Sequence, residues 1–110
     1  GLIQSADATA TVAPGGDESL ALSLLDEVLP LDLAVYVRYA DGTTQEIDKT
    51  VDDSPVTLRW TVPSRAVLGA AQARVVATRT CECGSYPPHQ GTVLATFSVA
   101  SPHAGWRLIP

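Results

Sequence analysis

Cys81 and Cys83, one residue apart, with His89 in the same stretch and His103 beyond it, are the side chains best suited to binding a metal or forming a covalent link. Two thiolates and an imidazole suit zinc, so Cys81, Cys83 and His89 form one candidate metal set. Compact zinc sites usually space their cysteines by two or more residues, and a fourth ligand would have to come from the tail. A disulfide between Cys81 and Cys83 is the second reading. It requires a bend at Glu82, because a straight strand holds residues i and i+2 too far apart, and Gly84 makes such a bend plausible. The closed loop would contribute on the order of 1.5 kcal/mol before strain. Two free thiols are the third, and the spacing alone leaves all three open.

The stretch from Cys81 to Gln90 is long for a hairpin loop and carries Tyr86, Pro87, Pro88 and His89, a stiff aromatic-proline surface suited to recognising a glycan or a protein. Tyr36 and Arg38 join these as candidate binding residues, because they alternate with Leu33, Val35 and Val37 and so face away from the core. Trp60 shares its parity with Leu58 and Val62, which assigns it to the core and not to sugar stacking. The acids Glu46, Asp48, Asp52 and Asp53 could in principle hold Ca²⁺, but they match no periodic calcium loop and read as a solvated edge that blocks aggregation. No nucleophile elbow, paired-histidine zinc motif or phosphate-binding glycine loop occurs, so no catalytic residues and no cofactor are expected.

These residues lie on or between strands. Alternation of apolar and polar residues between Gly, Pro and Asp punctuation predicts strands over 8–13, 18–25, 32–40, 43–49, 55–62, 71–80 and 91–100. Asp41-Gly42 marks a tight hairpin. About seven strands without crossover helices predict an all-β fold, an antiparallel two-sheet sandwich spanning 8–100. Residues 1–7 read as an N-terminal linker and 101–110 as a C-terminal tail or linker, although Trp106, Leu108 and Ile109 are more apolar than a solvated linker needs. Parity also places Tyr36, Arg38, Val76 and Leu94 on one outer sheet face, where two aliphatics among polar neighbours form a small apolar patch.

With 110 residues the chain is about one domain, and a hydrophobic content of 45% against 17% charged is too apolar for disorder. The net charge of −5, with a single lysine, offers no basic stripe for nucleic acid. The longest apolar run, 20–33, is broken by Ser23, Asp26, Glu27, Pro30 and Asp32, so no membrane insertion is expected. A start at Gly1 reads as an excised or mature piece of something longer.

Trp60-Thr61-Val62-Pro63, then Gly69 and the strand from Ala73 to Thr78, resembles a stretch of the bacterial immunoglobulin-like modules of secreted and surface proteins. Val12-Ala13-Pro14-Gly15-Gly16 followed by Leu20, Leu22 and Leu24 is similar to their opening. The resemblance implies an immunoglobulin- or fibronectin-like sandwich, an extracellular or cell-surface location, and a non-catalytic role as spacer, accessory or contact domain. The partners would be other domains of the parent chain, another protein or a glycan. It implies an oxidising compartment as well, and with it a Cys81–Cys83 disulfide. The antibody-type bridge between sheets is absent, since both cysteines follow the same strand.

Overall fold

The computed structural model describes residues 1–81, 84 and 87–101. Its strands are β1 (Ile3–Ala8), β2 (Thr11–Val12), β3 (Asp17–Leu24), β4 (Leu31–Arg38), β5 (Thr44–Val51), β6 (Val56–Thr61), β7 (Gly69–Arg79) and β8 (Gln90–Val99). They form two sheets, β1-β3-β6 and β2-β8-β7-β4-β5. The fold is all-β, as the alternation requires.

Each strand turns one set of side chains inward. Leu20, Leu22 and Leu24 from β3, Val35 and Val37 from β4, Leu58 and Trp60 from β6, Val75 from β7, and Phe97 and Val99 from β8 are all buried in one core. Each such aliphatic contributes roughly 1.5–3 kcal/mol by leaving water. Trp60 and Tyr39 both meet Phe97 edge-on, with ring centroids 6.1 and 6.3 Å away. Trp60 is therefore a packing residue, in keeping with its parity. The hairpin between β4 and β5 turns at Asp41-Gly42, where Asp41 Oδ1 accepts hydrogen bonds from the Thr43 backbone N–H at 3.0 Å and the Thr43 hydroxyl at 2.7 Å.

Four expectations need correction. Residues 1–7, expected as a linker, contain most of β1, which pairs antiparallel with β3 from Ile3↔Leu24 to Ala8↔Leu20. Leu2 is fully buried and its carbonyl accepts the Leu25 N–H at 2.9 Å. A register shift between Ile3 and Ser5 breaks the two-residue period, which is why alternation did not reveal the strand. The strand expected over 8–13 is two pieces: the chain leaves the first sheet after Ala8 and joins the second at Thr11. The described residues thus form eight strands where about seven were expected. The sheets are also not wholly antiparallel, because β2 runs parallel to β8. The predicted tail is described only at Ser101, and the reading of Trp106, Leu108 and Ile109 lies outside the described residues.

Candidate functional site

Pairing across β5, β4, β7 and β8 lays the outward residues of the larger sheet out in rows. Glu46, Tyr36, Arg74 and Leu94 form one row, because Tyr36 pairs with Glu46 and Arg74, and Arg74 with Leu94. Asp48, Ala34, Val76 and Thr92 form the row toward the start of β4, and Thr44, Arg38, Gln72 and Thr96 the row toward its end. Tyr36, Arg38, Val76 and Leu94 thus share the outer face that parity assigned to them.

The centre of this face is ordered and partly apolar. The Arg74 guanidinium lies 4.8 Å from the Tyr36 ring centroid, a cation–π contact that holds both long side chains against the sheet. Leu94 is 57% exposed, and Tyr36 37%. Tyr36 stands between two depressions. The first, about 430 Å³, is bordered by Asp32, Asp48, Thr50, Val76 and Gln90; the second, about 260 Å³, by Arg38, Gln72, Arg74 and Leu94. The first holds the carboxylates of Asp32 and Asp48 beside Lys49, the second the guanidinium groups of Arg38 and Arg74. Asp32 is positioned by accepting the Thr50 hydroxyl at 2.6 Å. On β5, Asp48 raises the pKa of Glu46 above the ordinary value, first by hydrogen bonding to its carboxyl and then by charge repulsion.

The outer face of the smaller sheet is different in kind. Its central strand shows Ser19, Ala21 and Ser23 and the neighbouring β6 shows Thr57, Arg59 and Thr61, with no large apolar side chain exposed among them.

The remaining candidates lie elsewhere. Pro87, Pro88 and His89 precede β8, and the Arg79 side chain donates to the Pro87 carbonyl at 2.7 Å while the Arg79 backbone N–H donates to that of His89 at 2.9 Å. Pro87 and Pro88 border a depression with Gly1, Gln4, Leu25 and Glu27. This loop leaves the sheet beyond the Thr78↔Gln90 pair, roughly 13 Å along the strand from the row of Tyr36. The structure therefore does not join the loop residues and Tyr36/Arg38 into one site. Tyr86 and Cys83 lie outside the described residues, and with them the zinc set Cys81, Cys83 and His89 as a whole. Among the described residues no cysteine is a free thiol, and no group of three or more His, Cys, Asp or Glu side chains could hold a metal ion. No described helix is long and apolar enough to cross a membrane.

Arg74 was not among the sequence candidates. Its alternation with Ala73 and Val75 signals an outward side chain, but its place beside Tyr36 depends on the β4–β7 register. No family model, curated protein or solved structure matches the chain.

Proposed function

We propose that the chain is a non-catalytic immunoglobulin-like module of a secreted or cell-surface protein, serving as an accessory or protein-contact domain. The order β1-β3-β6 opposite β2-β8-β7-β4-β5, with every connection except the β4–β5 and β7–β8 hairpins passing between sheets, supports the immunoglobulin-like reading. The observation that carries the contact role is the difference between the two outer faces. One is small and polar, whereas the other presents Leu94 and Tyr36, with Arg74 already fixed on the ring. Aromatic, aliphatic and arginine side chains held in place before binding are the usual anchors of protein interfaces, because little side-chain entropy remains to be lost.

The test is site-specific photo-cross-linking on the surface of the producing cell. A photoreactive residue at Leu94 is expected to capture a protein partner, and the same residue at Thr57 on the opposite face is not. Equal labelling at both positions, or none at Leu94, would remove the contact reading. An oxidising compartment further predicts that alkylation without reductant leaves both Cys81 and Cys83 unlabelled in the mass spectrum; two labelled thiols would argue against that location.

A further inference from the structure

We infer that the partner of this face is a second copy of the chain, in a weak two-fold dimer; the inference rests on the reading of the face as a contact surface. Charge along β4 is divided between its ends. Asp32 lies near its start and Arg38 at its end, and between them lie Tyr36, Val76 and Leu94, with Arg74 folded onto the Tyr36 ring. A two-fold axis crossing the strands at mid-height reverses strand direction in the partner. It sets the Asp32 end of each copy against the Arg38 end of the other and brings the middles of the two faces together. A face can meet itself in this way only where it is self-complementary, and on β4 this one is, Asp32 meeting Arg38 at both ends. With the strands of both copies running the same way, the lateral order is reversed and β4 lies over β7, so Asp32 and Arg38 would face the uncharged Thr78 and Gln72 and their pairing would be lost.

The margins agree with this placement. Glu46 and Asp48 lie on β5, the last strand of the sheet, so they stay at the rim in water, where like charges cost little. Four strands about 4.8 Å apart and some 25 Å long offer roughly 500 Å² per copy, or about 1,000 Å² in total. That is the lower bound for a specific interface. The dimer is therefore expected to dissociate on dilution and to weaken with salt.

Sedimentation equilibrium of the full chain, from about 10 μM to about 1 mM, reads this directly. A monomer–dimer equilibrium is expected. Asp32→Arg and Arg38→Asp should each lower the association constant by about tenfold, and the double variant should restore most of it, because the reversed charges again meet their opposites. Leu94→Asp should abolish association. All three positions are exposed, and circular dichroism verifies that each variant is folded. A chain that is monomeric at the highest concentration overturns the inference, as does a dimer that ignores these substitutions or whose charge reversals are not mutually compensating. If the chain is monomeric while Leu94 still cross-links to another protein, the dimer fails and the contact reading stands. If Leu94 captures nothing, both fall.

Discussion

Glu18 and Trp60 are cross-strand partners on β3 and β6, and both the Oε2 atom of the buried carboxylate and the indole Nε1 lack a hydrogen-bond partner. The other carboxylate oxygen explains why a glutamate is there. Ser19 turns its carbonyl toward the first sheet's edge, where it accepts the Thr9 N–H at 3.0 Å. Beyond Ala8 the chain crosses to the other sheet, so the Ser19 N–H on that side has no ladder partner and donates instead to Glu18 Oε1 at 2.7 Å. Burial raises the pKa of the nearby Tyr39 phenol, with the Glu18 charge adding to the rise and the Trp60 indole opposing it.

Glu18→Ala is therefore expected to cost about 2–3 kcal/mol, because it leaves the Ser19 N–H unpaired and opens a cavity. Glu18→Gln should cost much less, since its amide oxygen can still accept that bond. In a double-mutant cycle with Trp60→Phe, followed by urea unfolding, the coupling should stay below about 0.5 kcal/mol. A coupling above about 1 kcal/mol would mean that the carboxylate and the indole are bonded in solution.

Leu2 closes one end of the core before the first strand begins, and it is fully buried. Leu2→Ala should destabilise the chain by about 2–4 kcal/mol in chemical unfolding. Gln4→Ala, on an exposed position of β1, should change stability by less than about 0.5 kcal/mol. Equal effects at the two positions would return this segment to the status of a linker.

Period-two alternation was sufficient wherever a strand is regular and buried on one side. Leu20, Leu22 and Leu24, or Leu58 and Trp60, announce their face without knowledge of their neighbours. Glu18 was legible by the same rule, since it shares the parity of Leu20, but a charged side chain at an inward position is not taken as core without a partner to receive it. β1 was hidden by its register shift, and the passage at Thr9 and Ala10 by the continuity of small and apolar residues from Ala6 to Ala13. Of the candidate site, the outward set Tyr36, Arg38, Val76 and Leu94 was visible as parity. The contact between Arg74 and Tyr36 was not, because pairing between distant strands is fixed by the whole sheet and leaves no local trace.

Glu46 and Asp48 give the chain a pH dependence of definite sign. The folded-state pKa of Glu46 is raised above the ordinary carboxylate value, chiefly by hydrogen bonding with Asp48 and then by its charge. The folded chain thus holds this proton more tightly than the unfolded chain. The contribution favours folding below the ordinary carboxylate value and is lost as pH rises through the raised one. Asp48→Asn removes the repulsion, and a carboxyl NMR titration should then show Glu46 titrating closer to its ordinary value. An unchanged titration would show that Asp48 is not the cause.

Gly69 and Gly42 separate two costs of replacing glycine. Both have positive φ, +136° at Gly69 and +87° at Gly42. A Cβ at Gly42 would meet nothing within 4 Å, whereas one at Gly69 would lie 3.1 Å from the Ala40 side chain. Gly42→Ala should cost about 1 kcal/mol, from backbone strain alone. Gly69 opens β7 opposite Val99, so strain there is borne by the sheet that carries the candidate site. Gly69→Ala is expected to cost about 2–3 kcal/mol, the difference being the close approach. Adding Ala40→Gly should recover that difference, less its own small effect, and leave the backbone part. If the second substitution recovers nothing, the cost at Gly69 is conformational throughout and the contact with Ala40 relaxes freely.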